Sequence, residues 1–174
     1  MEYFMGLVPP QVILNEIAGI QRRYGDNRAE PHITVKAQGG PAPDEIWLAE
    51  VEKAARTFEP FLVELIQNGS FRNEIVFFSV ESPQLIRLHR EIVQRINPSQ
   101  ELLNQYFEKD LYVPHLTIGQ ASHGYSPEDL NAMRKLADGM VSSRAIVFTA
   151  EFLKIYYKSG EASDYQKLKD VKLG

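Results

Sequence analysis

The sequence contains no cysteine. Disulfides, thiolate nucleophiles and cysteine metal ligands are therefore excluded, and the composition fits a cytoplasmic protein. It has no basic excess either: 19 Lys and Arg stand against 23 Asp and Glu, for a net charge of −4. Proteins that grip long nucleic acid by its phosphates carry a basic excess or stripe, so a long duplex is not the expected partner. A small phosphorylated ligand, or one end of an RNA strand, is easier to accommodate. Local basic character is still present around residues 22 to 36, where Arg22, Arg23, Arg28 and Lys36 cluster in sequence. No apolar run is long enough to span a bilayer. The opening MEYFMGLVPP lacks the positively charged start of a secretory leader, so no membrane association is expected. No linker or low-complexity stretch divides the 174 residues, a length that fits one domain with a sizeable core.

What the sequence does contain is one pentapeptide written twice. Pro31-His32-Ile33-Thr34-Val35 recurs as Pro114-His115-Leu116-Thr117-Ile118. Side chains alternate faces along a β-strand, so each His-x-Thr sets an imidazole beside a hydroxyl on one face. The aliphatic residues turn to the other face, toward a core. Two such strands brought together offer two imidazoles and two hydroxyls around one small space. Imidazole titrates near neutrality, so one can act as base and the other as acid. A lone His on a strand is usually an ordinary polar residue, but a matched pair with matched flanks is poorly explained that way. The prolines have a plain reading as strand starters.

The rest of the chain reads as alternating strands and helices. Residues 3–8 read as a strand ended by Pro9-Pro10. Residues 11–24 read as a helix stopped by Gly25. The first motif strand, 32–38, is broken by Gly39-Gly40-Pro41, which is too short for a phosphate-binding loop. A helix over 44–58 is capped by Asp44. Strands 61–66 and 74–80 are joined by Asn68-Gly69 turn chemistry. The third helix is capped by Ser82, has Pro83 in its first turn, buries Leu85, Leu88, Ile92 and Ile96, and ends at Asn97-Pro98. Residues 101–110 fit either a helical turn or an ordered loop. After the second motif strand, 112–120, Ser126-Pro127-Glu128-Asp129 starts a helix that Gly139 ends. Residues 145–157 fit one long bent strand or a hairpin, and 165–173 a last strand. The two halves repeat the order motif, loop, helix, strands. The expected architecture is α+β: one domain of two intertwined, pseudo-twofold lobes, each a mostly antiparallel sheet with covering helices. Each lobe carries one motif strand, with a groove between them.

PHITV and VPHLTIG, together with this element order, resemble the two-histidine (2H) phosphoesterase superfamily. Its members include bacterial 2′-5′ RNA ligase-like proteins and RNA cyclic phosphodiesterases. The resemblance covers most of the chain. It implies that His32 and His115 are the catalytic imidazoles and that Thr34 and Thr117 bind phosphate oxygens. It implies opening or forming a phosphodiester, typically a 2′,3′-cyclic phosphate, without a cofactor. The alternatives are 2′-5′ RNA ligation in the same groove, or a nucleotide-binding module with little turnover. A monomer is expected.

The remaining candidates are weaker. Lys36 continues the His32 face by alternation and could reach a phosphate; Gly119 holds the matching place in the second motif. Tyr125 and Tyr112 could contact or stack on a ligand, though tyrosines beside strands are usually core. His89 falls on the buried stripe of the third helix and reads as packing. His123 reads as a solvated loop residue with a ligand contact open to it. The acidic residues show no metal-ligating arrangement, and threonine is a poor zinc ligand, so no metal is called for.

Overall fold

The structure, a computed structural model, describes residues 2–24, 30–40, 46–160 and 164–174, the Asn68 side chain excepted. Gly25, Arg28, Pro41 and Asp44 lie outside the described residues.

Eight strands form one antiparallel sheet in the order β6-β3-β4-β5-β2-β1-β7-β8. They are β1 (Glu2–Leu7), β2 (Ile33–Lys36), β3 (Phe61–Phe71), β4 (Ile75–Glu81), β5 (His115–Gln120), β6 (Ile146–Ala150), β7 (Phe152–Lys158) and β8 (Gln166–Lys172). The two motif strands, β2 and β5, are neighbours in the middle. Their registered contact is Ile33 opposite Leu116. Four strands lie on either side of that seam.

Connectivity forces the sheet to curl. β6 and β7 are separated by Glu151 alone, yet they hold the first and seventh places in the strand order. In a flat sheet those places are roughly 29 Å apart. One residue between two strands spans only about 8 Å. The segment 145–157 is thus one chain bent at Glu151 and shared between the two halves, not a hairpin. The Glu151 carbonyl at this corner accepts from the Leu173 amide at 2.9 Å.

The helices α1 (Gln11–Gln21), α2 (Ile46–Ala55), α3 (Pro83–Ile96), α4 (Gln100–Gln105) and α5 (Pro127–Ser143) follow the sequence signals closely. The Ser82 hydroxyl accepts from the Leu85 amide, Pro83 sits at the first helical position, and Asn97 closes α3 in the left-handed region at φ 50°. Ser126 and Asp129 form a reciprocal capping box on α5. The packing crosses over. α1, which follows β1, packs on β5 beside α5, while α3, which follows β4, packs on β2. One continuous core lies between helices and sheet, and both motif strands feed it: Ile33, Val35, Leu116 and Ile118 are all fully buried. Among the described residues no helix is long and apolar enough to cross a membrane.

Two expectations about glycine are corrected. Asn68-Gly69 does not turn the chain; β3 continues through it, and Arg72-Asn73 make the reversal with φ of 49° and 59°. Gly69 instead lies opposite Phe77, where a Cβ would come within 2.7 Å of that ring. Close approach by an aromatic, not turn geometry, selects glycine there. Gly139 does not end α5, which runs on to Ser143, because an isolated glycine costs a helix only about 1 kcal/mol.

Candidate active site

The two motif strands open onto one cavity of about 360 Å³, lined by His32, Thr34, His115 and Thr117. The alternation holds in both motifs: each His and Thr is partly exposed, and the aliphatic residues between and after them are buried.

Each imidazole is tethered in the same way. His32 Nδ1 lies 2.7 Å from the carbonyl of Glu30, and His115 Nδ1 lies 2.7 Å from the carbonyl of Val113. A carbonyl only accepts, so Nδ1 carries the proton in both rings. Nε2 is then the nitrogen able to exchange protons with a ligand. The prolines help to build the tether. Pro31 and Pro114 stand between the residue that supplies the carbonyl and the histidine, and their fixed φ, with the restricted residue before each, presets the bend.

Aromatic rings wall both histidines. Phe4 packs on His32 at 4.7 Å between centroids and stacks on Tyr156 at 4.6 Å. Phe77 and Phe71 flank His115 at 5.2 and 5.3 Å. This lowers the basicity of both imidazoles. Burial pushes His32 below its ordinary value, the hydrogen bond to Glu30 pulls it back, and a positive charge on His115 would push it down further. Burial likewise pushes His115 down against the hydrogen bond to Val113. The ligand-free site at neutral pH therefore holds two neutral imidazoles.

Both motif strands carry a β-bulge just after the threonine. Thr34 pairs with Gly6 and Lys36 with Met5, so Val35 is the extra residue of β2. Thr117 pairs with Phe77 and Gly119 with Val76, so Ile118 is the extra residue of β5. This corrects the reading of Lys36. The bulge breaks the alternation and turns Lys36 away from the groove into the protein, where it is 1% exposed. There its ammonium meets Glu108 at 2.8 Å and donates to the carbonyls of Ala37 and Gly39. At the matching place, Gly119 backs onto α5, where a Cβ would come within 2.5 Å of Met133 Sδ.

Tyr125 is corrected as well. It is buried in the core, its ring lies against Gly119, and it is not among the groove-lining residues. Tyr112 is not a stacking platform for a ligand: it stacks on His89 at 3.8 Å, and its hydroxyl donates to the Thr34 carbonyl at 2.7 Å. His123 does line the groove, 2.7 Å from Gln120 Nε2.

Sequence reasoning missed Phe4, Gln21, Glu30, Gln38, Gln120 and Tyr165, all of which line the cavity. Gln38 donates to the Tyr165 hydroxyl at 2.9 Å, which joins two segments far apart in sequence. Only Gln21 left a signal. It falls four residues after Ile17 on the buried stripe of α1, an apolar face where a glutamine needs a partner.

Gly6 of β1 backs the first histidine. A Cβ there would lie 3.3 Å from His32 Cδ2 and 3.2 Å from the Ile33 carbonyl. Gly6→Ala is expected to displace the imidazole by a few tenths of an ångström. Such a shift lowers kcat about 10-fold while leaving the fold intact; steady-state kinetics beside a thermal melt checks both halves of that statement.

The site thus stands at the centre of a curled antiparallel sheet, where the two His-x-Thr strands lie side by side. Residues 9–153 match the model of the 2′-5′ RNA ligase superfamily. The chain belongs to that superfamily. Among solved structures it is similar to TT0787 of Thermus thermophilus, with a TM-score of 0.67 and 18% identity over 99% of this chain and 98% of that one. It is also similar to E. coli LigT complexed with phosphate, with a TM-score of 0.60 and 14% identity over 99% and 96% of the two chains. A third similar structure, described as a phosphoesterase, gives 0.61 and 14% over 99% and 98%. Among curated proteins no sequence matches.

Proposed function

We propose that the protein is a metal-independent phosphoesterase that hydrolyses a 2′,3′-cyclic phosphodiester of an RNA end or nucleotide. The observation that carries this reading is the matched tether: two imidazoles facing one groove, each with Nδ1 fixed to a backbone carbonyl. In the reaction, one neutral imidazole takes a proton from water through Nε2 as the water oxygen attacks phosphorus. The bond from phosphorus to one ribose oxygen breaks. The other imidazole, as imidazolium, gives its proton to that oxygen. One water is consumed, one phosphomonoester is formed, and the two rings have exchanged protonation states. Thr34 and Thr117 donate to the non-bridging oxygens, where charge builds up. Each acid or base contributes ~10²–10⁴-fold. LigT has been crystallised with ATP, with 3′-AMP and with NADP+, and by fold analogy these complexes support a small phosphorylated ligand here. Every residue in the scheme comes from one chain, so the reading calls for no second copy.

The test is short RNA ending in a 2′,3′-cyclic phosphate, incubated with EDTA and resolved by chromatography. Hydrolysis in EDTA supports the reading. Joining of supplied ends points to ligation, and nucleotide binding without turnover to a binding module.

The pH dependence follows from the environment. Turnover needs one imidazole charged and one neutral, which gives a bell. Burial depresses both groups in the free protein, so the kcat/KM bell centres below pH 6.5. A bound phosphodiester anion favours imidazolium and raises the acid's pKa. The kcat bell, which reports the complex, is therefore displaced to higher pH than the kcat/KM bell. Superimposed or flat profiles through this range would count against the scheme.

A further inference from the structure

The bulges pose a problem that two side chains solve. A bulged residue leaves the ladder, so its backbone groups need partners from elsewhere. On β5 the Ile118 carbonyl accepts from Gln21 Nε2 at 3.0 Å. On β2 the Val35 carbonyl accepts from His89 Nδ1 at 2.6 Å. Gln21 is on α1, the helix that follows β1, and it braces the strand of the opposite half. His89 is on α3, the helix that follows β4, and it too braces the strand of the opposite half. Both residues are buried, at 4% and 1% exposure.

We propose that Gln21 and His89 are positioning residues, each holding the bulge of one motif strand from the opposite half of the sheet and thereby fixing the adjacent His-x-Thr against the other.

The chemistry of each donor fits the role. A glutamine amide donates to a carbonyl at any ordinary pH. His89 is held in one neutral tautomer from both sides: Nδ1 donates to Val35, and Nε2 accepts from the Lys109 amide at 2.9 Å. A second proton would set Nε2–H against that amide. Tyr112 lies flat on the His89 ring and donates to the carbonyl of Thr34 itself, so the first motif is gripped at two successive residues. The threonine is one residue from the bulge and the histidine three. A carbonyl released at the bulge lets the strand relax toward regular pleating, which tilts the hydroxyl and imidazole together. The reciprocal pattern also couples the halves. Neither motif strand can shift without moving a helix anchored by the connection from the other half.

The inference rests on the phosphoesterase reading for its catalytic consequence, and two kinds of measurement keep them apart. The first is turnover of 2′,3′-cyclic AMP by Gln21→Met, His89→Leu and His89→Asn. Met matches the length of Gln without its donor, and Asn places an amide N–H where His89 Nδ1 stands. Gln21→Met and His89→Leu are expected to lower kcat by 10- to 10²-fold with KM changed by less than about 3-fold. His89→Asn should recover most of the loss. Ile17→Val and Ile92→Val, on the buried stripes of the same helices, should lower the melting temperature with kcat kept. The second measurement is amide hydrogen exchange. Gln21→Met should speed exchange at residues 117–119 and not at 34–36, and His89→Leu the reverse. Unchanged kcat in both donor-less variants, an Asn variant no better than Leu, or exchange that rises evenly over both strands would overturn the proposal. If the wild-type protein leaves every cyclic phosphodiester intact, the functional reading fails, and exchange alone then decides: loosening confined to the braced strand sustains the bracing, and its absence overturns it.

Discussion

Alanine at His32 or at His115 is expected to lower kcat on a 2′,3′-cyclic phosphodiester by ~10²–10⁴-fold each. KM should change little, because in the proposed scheme Thr34 and Thr117 still hold the phosphate. The double variant should be scarcely worse than the poorer single, since acid and base act as a unit in one displacement. A substrate that departs without help separates the two roles. A diester with a p-nitrophenolate leaving group needs little protonation, so it should restore turnover in the variant lacking the acid and not in the one lacking the base. Stopped assays in EDTA, with circular dichroism to show that each variant is folded, decide the matter. Retention of kcat within 10-fold in either alanine variant would remove the two-histidine mechanism.

Glu108→Ala is expected to be among the most destabilising single substitutions in the protein, by about 3–5 kcal/mol. The Lys36 ammonium has no exposed surface, and Glu108 is its ion-pair partner at 2.8 Å. Burial presses the Lys36 pKa down and lifts that of Glu108, while their attraction opposes both shifts. Removing the carboxylate leaves a buried cation whose partners among the described residues are the Ala37 and Gly39 carbonyls. The carboxylate also accepts from the Ala37 amide at 3.2 Å and so ties the loop before β5 to the end of β2. Its neighbours Phe107 and Lys109 are held at φ of 53° and 56°, a conformation that costs non-glycine residues about 1–2 kcal/mol each and persists only while the loop is tethered. Because β5 starts with His115, activity should fall along with stability. Lys36→Met combined with Glu108→Leu should be more stable than Glu108→Ala, since no unpaired charge is left buried. Urea unfolding of the wild type and these two variants reads this directly, and a double variant no better than the single would mean that the loop tether, not the charge, carries the effect.

His89 adds an acid limit to the same region. Its pKa is pushed down to about 4, chiefly by burial, from an ordinary value near 6.5. Above pH 6.5 the ring is neutral whether folded or unfolded, and its contribution to stability is complete. As pH falls from 6.5 toward 4 the unfolded chain takes up a proton that the folded one refuses. Stability should therefore decline by roughly 3 kcal/mol over that window and level off below it. His89→Asn, which cannot titrate, should flatten that slope in urea titrations at successive pH values.

The groove face was legible in sequence because its pattern is local. A His and a Thr two residues apart on a strand share a face whatever surrounds them, and the aliphatic residues between them turn to the core by the same rule. The helix starts at Ser82 and Ser126 were legible for the same reason, since a cap is made by residues within one turn of each other. Lys36 was misread because the bulge in β2 breaks the alternation, and Tyr125 because its burial against Gly119 depends on how the chain after β5 packs. A bulge is defined by pairing with another strand, and nothing within HITVK or HLTIG announces it. Gly69 was read as a turn because the ring it faces, Phe77, comes from the partner strand. Gln21 was half legible, as a polar residue on an apolar stripe, but its partner at Ile118 is fixed only by the crossed packing of α1 on the far half of the sheet. The sequence by itself thus determined which side chains face the groove, through the fixed period of a strand. Only the tertiary structure decided how those strands are held, because bulges, crossed helices and the buried Lys36–Glu108 pair are relations between segments distant along the chain.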